Sequence, residues 1–258
     1  MELHSCILTK NDCYQRGLTI VPKGVMVHST GANNPFIKRY VQPDDGLLGE
    51  NTYDNDWNRP GLDVCVHAFI GKKQDGGIAT YQTLPWERRG WHAGAGANNT
   101  HISFEICEDG LQDRSYFEAV YREAAELTAY LCGRYGLDPM KDGVVICHAE
   151  GYRRGIASNH GDVENWFPLF GKTMDDFRGA VKAIMEGEDM SREEIQALVD
   201  ARIKAILSGD ASVASDWAGA ELSAAVSDGI TDGSRPGGYA TREEAAIMVE
   251  RLYRKLKP

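Results

Sequence analysis

Four short apolar runs in the first 150 residues have the length and composition of buried β-strands. They span residues 24–29, 63–70, 101–107 and 143–148. Uninterrupted runs of this kind, rich in β-branched residues, are typical of strands that are covered on both faces. Within 101–107 apolar and polar positions alternate, and this pattern places Glu105 on the polar side of its strand.

Two longer segments follow helical spacing. The first begins at a potential capping box, Ser115 to Glu118, and its apolar positions recur every three or four residues up to Gly136, a natural helix stop. The second spans residues 173–185. The resulting order of strand, strand, strand, helix, strand, helix predicts an α/β fold with a central sheet flanked by helices.

The composition changes near residue 187, within a short polar stretch at 186–189 that resembles a linker. We therefore predict two domains, 1–186 and 187–258. The second reads as a small helical module, with capping boxes that start at Ser191 and Thr241. A module of this size has a thin core, so packing on a partner, or on a second copy as a homodimer, is an open possibility.

Charge and cysteine content narrow the function classes. The 28 basic residues against 38 acidic ones give a net charge of −10, which argues against nucleic acid as a partner because phosphate binding needs a basic face. No apolar run approaches the roughly 18 residues of a membrane span, and the first residues lack the pattern of a secretory signal. The six cysteines form no C-x-x-C pair, which favours buried thiols, although one of them could act as a nucleophile.

Several polar side chains stand at or near the predicted strand ends. His28 and His148 each close an apolar run, and Asp162 lies in a later loop, two residues after His160. Two imidazoles and a carboxylate with an open fourth position form the ligand set of catalytic zinc. Their spacing has no local signature, however, and a single strand histidine is more often a structural residue. Glu105 is more suggestive, since an acid within an apolar strand is costly to bury without a role.

A series of short motifs points to one family. They read VMVHST (25–30), VHAF (66–69), YQTLPW (81–86), GWHAG (90–94), NNTHISFE (98–105), ICH (146–148) and GIASNHGDV (155–163). In order and approximate spacing, residues 18–185 resemble the zinc-dependent N-acetylmuramoyl-L-alanine amidases of the amidase-2 type. This family includes phage endolysins, bacterial autolysins and peptidoglycan-recognition proteins, and the last motif is most similar to the endolysins of Gram-positive phages and prophages.

The resemblance implies a fold and a role for each matching residue. It implies a central, mainly mixed sheet, with His28, His148 and Asp162 as Zn²⁺ ligands. Glu105 matches the family's catalytic acid, and His160 stands where many relatives carry a catalytic lysine or histidine. Because the loop that carries them is longer than in some branches, His160 and Asp162 could exchange roles. The implied reaction is hydrolysis, by a zinc-activated water, of the amide bond between N-acetylmuramic acid and the L-alanine of the stem peptide.

The same resemblance suggests substrate-binding residues and a setting. His67, Trp86 and His92 are expected beside the ligands or along the groove for the partner, bacterial peptidoglycan. The segment 217–244 resembles S-layer-homology-like modules, which suggests attachment to the cell wall. Such a bacteriolytic phage enzyme would accumulate in the cytoplasm without a signal peptide and reach the wall after holin-type release.

Two rival functions remain open at this point. One keeps the fold without catalysis, as a module that binds peptidoglycan but does not cleave it. The other is a cysteine peptidase that uses Cys107 or Cys147 as its nucleophile. The sequence shows no clear catalytic set of a cysteine, a histidine and an asparagine or aspartate. In addition, Cys147 should point to the face of its strand opposite to the neighbouring His148.

Overall fold

Two compact units, Met1–Gly187 and Glu188–Pro258, make up the chain in the computed structural model. The structure describes residues 1–43, 45–187, 215–234, 236–237 and 240–257. The helix predicted after Ser191 lies outside the described residues.

A six-stranded mixed sheet forms the centre of the first unit. Its strands are β1 (Leu3–Ser5), β2 (Gly24–Asn33), β3 (Ala68–Lys72), β4 (Ile78–Gln82), β5 (His101–Glu108) and β6 (Val145–Cys147). They lie in the order β1-β4-β3-β5-β2-β6. Only the β3–β4 pair is antiparallel, and the other four pairs are parallel. The predicted α/β class with a mixed sheet and flanking helices is confirmed.

Five α-helices accompany this sheet among the described residues of the first unit. They are α1 (Asp12–Gln15), α2 (Arg114–Tyr135), α3 (His148–Arg153), α4 (Val163–Trp166) and α5 (Met174–Glu186). The long helix α2 ends as predicted at Gly136, which adopts the left-handed conformation at φ 62°. Its predicted start was wrong: Asp113, not Ser115, is the N-cap, and its carboxylate accepts the backbone N–H groups of Ser115 and Tyr116.

The two faces of the sheet carry different cores. One face packs against α2 and α5 and includes Val27, Phe104 and Cys147, each of which is almost fully buried. Because side chains alternate along a strand, the neighbouring residues His28 and Glu105 point to the opposite face. That face is covered by loops and short helices rather than by α2 and α5, and it holds the polar side chains described below.

The strand predictions were correct in place but not in extent. The run at 63–70 becomes a strand only from Ala68. The run at 24–29 continues to Asn33, so His28 lies within β2 rather than at its end. The last run ends at Cys147, and His148 is already the first residue of α3. Strands β1 and β4 were not predicted.

The described part of the second unit contains two α-helices, α6 (Gly219–Ser227) and α7 (Arg242–Leu256). The capping box predicted at Thr241 is present, since its hydroxyl accepts from the Glu244 N–H and the Glu244 carboxylate accepts from the Thr241 N–H. Across both units, no described helix is long and apolar enough to cross a membrane.

Candidate metal centre

Three side chains converge at one point on the loop-covered face of the sheet. His28 Nδ1 lies 2.8 Å from Asp162 Oδ2, His148 Nδ1 lies 3.1 Å from the same oxygen, and the two Nδ1 atoms are 3.1 Å apart. Both imidazoles are buried, with 1% and 5% of their surfaces exposed. This triangle contains the three residues that the sequence proposed as a ligand set, and it places Asp162 rather than His160 against both histidines.

The sheet and the start of one helix bring the two histidines together. Parallel pairing aligns Val27 of β2 with Cys147 of β6, so His28 and His148 follow side by side. The turn into α3 is held by Glu150, whose carboxylate accepts the Cys147 N–H and is itself bridged by the Arg178 guanidinium from α5. His148 therefore stands on a supported backbone.

Electrostatics in the triangle favour a neutral His28 and an ionised Asp162. Burial lowers the pKa of His28 even though the Asp162 carboxylate beside it acts in the other direction. Burial opposes ionisation of Asp162 as well, but hydrogen bonds from His148 and His28 hold its pKa well below the usual range. Neutral imidazole and ionised carboxylate are the protonation states in which these groups bind metal ions.

The outer nitrogens of both imidazoles have partners that orient the rings. His28 Nε2 lies 3.0 Å from His92 Nδ1, and His148 Nε2 lies 3.1 Å from Ser158 Oγ. In the absence of a metal, a hydrogen on Nδ1 lets each ring donate to Asp162. When that hydrogen is on Nε2 and is donated outward, the Nδ1 lone pairs point into the triangle. Partners of this kind fix the tautomer of metal-binding histidines.

Glu105 lies beside the triangle on the same face of the sheet. It pairs in register with His28 across the β5–β2 ladder, and its Oε2 atom is buried with no hydrogen-bond partner among the described residues. Burial raises the pKa of Glu105 well above its ordinary value, and the negative charges of Asp162 and Glu108 act in the same direction. A carboxyl with a buried, unpaired oxygen and a raised pKa suits proton transfer.

His160 stands outside the triangle but close to it. Its ring centroid is 4.6 Å from that of His148, and its Nδ1 lies 3.1 Å from Ser158 Oγ. The side chain is exposed, so it remains accessible to a bound molecule.

His92 lies beside the metal triangle, where its ring contacts that of His28. Its backbone N–H and that of Ala93 both donate to Asn98 Oδ1 at 2.9 Å. Burial lowers the pKa of His92 well below its ordinary value, and neighbouring His28 adds to this effect. The contacts made by Asn98 and Ser158 were not predicted, although both residues lie within family motifs, NNTHISFE and GIASNHGDV.

Two of the predicted substrate-binding residues are in the wrong environment for that role. His67 is fully buried, and its ring is satisfied by the Arg88 carbonyl and by Ser103. Trp86 is 4% exposed and stacks on His67. The expectation that these two side chains contact substrate does not agree with their burial, and we assign them to packing instead.

Asp162 has a strained backbone. Its φ of 46° and ψ of −126° lie in a region that glycine adopts far more readily than other residues. A non-glycine residue there costs of order 1–3 kcal/mol and persists where the surroundings require it. The strained residue is also the carboxylate of the triangle.

This strain predicts an unusual order of stability for two variants. Asp162→Gly and Asp162→Ala both remove the carboxylate, but glycine also relieves the backbone, so we expect the glycine variant to be about 1–3 kcal/mol more stable. Urea unfolding in the presence of chelator measures the difference. At the exposed helical position Glu118 the order should reverse, with glycine about 1 kcal/mol less stable than alanine. An alanine variant at 162 as stable as the glycine variant would contradict the strain.

Comparisons with known proteins identify the family and the fold. A family model described as N-acetylmuramoyl-L-alanine amidase (Amidase_2) matches residues 18–164. Among curated proteins, none matches the chain's sequence.

Solved structures show the same fold. A mutant of PlyL is 20% identical with a TM-score of 0.51, over 71% of this chain and 99% of that one. The Staphylococcus aureus hydrolase AmiA, in complex with its ligand, is 21% identical with a TM-score of 0.52, over 71% and 82% of the two chains. The PlyG catalytic domain is 20% identical with a TM-score of 0.50, over 73% and 98%.

Proposed function

Because the chain belongs to the Amidase_2 family of N-acetylmuramoyl-L-alanine amidases, it is a peptidoglycan hydrolase, and we propose that it works through zinc held by His28, His148 and Asp162. The bond cleaved joins N-acetylmuramic acid to the L-alanine of the stem peptide. The observation that carries this proposal is the convergence of three ligand atoms beside Glu105, whose Oε2 atom is buried and unpaired.

The donor set fits zinc in its chemistry and its dimensions. Imidazole nitrogen and carboxylate oxygen bind zinc at about 2.0–2.2 Å, and tetrahedral ligands at that distance lie roughly 3.3 Å apart. The separations of 2.8–3.1 Å between these atoms approach that value. Three protein ligands leave a fourth position open, as in catalytic rather than structural zinc sites. When bound, zinc supplies a Lewis acid that makes water nucleophilic near neutral pH and polarises an amide carbonyl.

Glu105 moves the protons in the proposed reaction. As the carboxylate it accepts a proton from the attacking water, and as the acid it passes that proton to the nitrogen of the leaving L-alanine. Burial raises its pKa, and a raised pKa makes the carboxyl a stronger base and keeps its acid form available at higher pH.

His160 stabilises the charge that develops on the carbonyl oxygen. Its ring is exposed next to His148 and can donate a hydrogen bond outward. Removal of one such donor costs about 10²–10³ in kcat in comparable sites. His92 acts indirectly, because its Nδ1 contacts His28 Nε2 and so orients the ring of this ligand.

The alternative of a binding module without catalysis is not favoured. Recognition of peptidoglycan does not need a carboxyl whose Oε2 is buried and unpaired. An unsatisfied buried polar group costs about 1–3 kcal/mol, which a chemical role for Glu105 would explain.

The cysteine peptidase alternative conflicts with the burial and the raised pKa of both thiols. Cys107 and Cys147 are fully buried, and each belongs to a hydrophobic core. Burial raises the pKa of Cys147 to about 12 and that of Cys107 well above its usual value. Thiols in this state are poor nucleophiles, because the thiolate is the reactive form.

Chelation and thiol alkylation separate the two mechanisms. We expect a chelator to abolish hydrolysis of purified cell walls and added Zn²⁺ to restore it, since the ligands would remain in place. Treatment with iodoacetamide under native conditions should leave the rate unchanged. Alkylation that inactivates the enzyme while the chelator does not would contradict the zinc mechanism.

For the second unit we propose attachment to the cell wall. Its described residues line an open pocket of about 400 Å³ between α6, residues 231–234 and α7, where Leu222, Ile247 and Met248 adjoin polar groups such as Asp232 and Arg251. A mixed apolar and polar lining suits a saccharide or peptide of the wall. Trp217 is 83% exposed and adds an apolar surface for binding.

Deletion of residues 188–258 tests this proposal. We expect the remaining unit to lose binding to intact walls but to keep its activity on soluble muropeptides, because the sheet and the metal centre lie within Met1–Gly187. Pull-down with purified walls and light scattering measure the two properties. A halved solution mass with unchanged wall binding would favour a dimerising role instead.

The proposed setting is lysis of bacterial cells. In line with the motif GIASNHGDV, we propose a phage or prophage endolysin that is made in the cytoplasm and reaches peptidoglycan after holin-type release.

A further inference from the structure

One hydroxyl group lies between two imidazoles at the edge of the metal centre. Ser158 Oγ is 3.1 Å from His148 Nε2 and 3.1 Å from His160 Nδ1. Among the described residues, Ser158 Oγ is the one atom within hydrogen-bonding distance of both the His148 and the His160 rings. The first ring belongs to the metal triangle, and the second is the exposed donor.

Counting hydrogens gives this bridge a direction. When Nδ1 of His148 uses its lone pair for a metal, its Nε2 must carry the ring hydrogen and donate it to Ser158 Oγ. A serine hydroxyl has one hydrogen to give and can accept two. Because His160 Nδ1 is the other polar atom that the described residues place against Ser158 Oγ, donation to His160 Nδ1 is the arrangement that uses this hydrogen. His160 then accepts at Nδ1 and carries its own hydrogen on Nε2, which is the outward position.

We propose that Ser158 is a positioning residue that sets the tautomer and ring orientation of His160. It thereby holds the Nε2–H group ready for the oxygen of the scissile amide. Without the hydroxyl, the neutral ring can place its hydrogen on either nitrogen and can rotate, so only a fraction of molecules presents a donor. This inference rests on the proposed function of His160.

The backbone around Ser158 keeps the hydroxyl in place. The Ser158 N–H donates to the Ala93 carbonyl at 2.8 Å, which ties this loop to the GWHAG segment. Gly94 makes room for the side chain: a Cβ atom at that position would lie 3.1 Å from Ser158 Oγ and 3.3 Å from its Cβ. These contacts are made by the backbone and Cβ of Ser158, which an alanine would keep. Ser158→Ala therefore removes the bridging hydroxyl with little other change.

The experiment compares Ser158→Ala, Ser158→Thr, His160→Ala and the double variant Ser158→Ala/His160→Ala in the zinc-loaded full chain. We expect Ser158→Ala to lower kcat about 10–100-fold with KM little changed, and Ser158→Thr to restore most of the activity. In the His160→Ala background the serine change should alter kcat by no more than about twofold, because the group it acts through is gone. Asn159→Ala, at the exposed neighbouring position, is the matched control.

Histidine nitrogen NMR supplies a readout other than activity. In the wild type and in Ser158→Thr, the ¹⁵N shifts of His160 should report the Nε2–H tautomer, and in Ser158→Ala a mixture of both. Zinc content, measured by metal analysis, should stay at one per chain in all variants.

Several outcomes would overturn the inference. These are an unchanged His160 tautomer in Ser158→Ala, an equal loss of kcat in the presence and absence of His160, or a loss of zinc that matches the loss of activity. Full activity of His160→Ala has a different meaning, since it would remove the proposed role of His160. The NMR shifts would still decide whether Ser158 sets its tautomer.

Discussion

Replacement of His148 by alanine is expected to abolish both zinc binding and hydrolysis of purified cell walls. The imidazole supplies one of three converging ligand atoms, and a catalytic zinc site with two protein ligands holds its metal poorly. Lewis-acid stabilisation is worth several kcal/mol, and each 1.36 kcal/mol corresponds to a factor of ten in rate. We therefore expect kcat to fall by about 10³-fold or more.

The measurement pairs zinc content with the release of new L-alanine amino termini from the walls. His4→Ala is the matched control, because His4 lies on β1 at the opposite edge of the sheet from β6. That variant should keep its zinc and its activity. If His148→Ala retained its metal and cleaved walls at the normal rate, the assignment of the centre would be wrong.

Replacement of Glu105 by glutamine is expected to lower activity and raise stability at the same time. The amide keeps the shape of the side chain but cannot exchange protons, and loss of a general acid–base typically costs about 10²–10⁴ in rate. Because glutamine bears no charge at any pH, it also avoids the cost of ionising a buried carboxyl beside Asp162 and Glu108.

The gain in stability should depend on pH in a defined direction. In the metal-free protein, Glu105 is protonated in both the folded and unfolded states below its ordinary pKa, so the two proteins differ least in acid. As the pH rises, the unfolded chain releases this proton while the folded state retains it. The stability of the wild type relative to Glu105→Gln then falls by up to about 1.4 kcal/mol per pH unit, until the pH passes the raised pKa.

Urea unfolding in chelator, between pH 4 and pH 8, measures this divergence. The exposed Glu118→Gln variant is the control and should follow the wild type throughout. A Glu105→Gln protein that is less stable than the wild type at pH 8 would show that the carboxylate is satisfied in the folded state, against the structure.

Local sequence patterns predicted the elements whose stability is itself local. The alternation at 101–107 placed Glu105 on the correct side of β5, and Gly136 ended α2 because a left-handed residue there costs glycine little. The capping box at Thr241 is present for the same reason, since both of its partners lie within one turn. The error at Ser115 arose because Asp113, two residues earlier, accepts the N–H groups of Ser115 and Tyr116 and so starts the helix before the capping-box pattern does.

Elements that depend on distant partners were harder to predict. Strand β1 has three residues and exists through its pairing with β4, while β4 is defined by an antiparallel partner, β3. Similarly, nothing local to residues 24–33 shows that β2 continues past Ser29, because its pairing with β5 is interrupted there and resumes only at Asn33.

For the metal centre, the sequence by itself determined which candidate groups are available. These are two histidines and an acid after apolar runs, a second acid within a strand, and the motifs of a known family. Only the tertiary structure decided which of these groups meet. His28 and Asp162 are 134 positions apart, and no helical or strand period relates them. Their contact, the outer partners His92 and Ser158, and the burial of His67 and Trp86 all follow from how the loops close over one face of the sheet, where packing and hydrogen bonding between distant segments select a single arrangement.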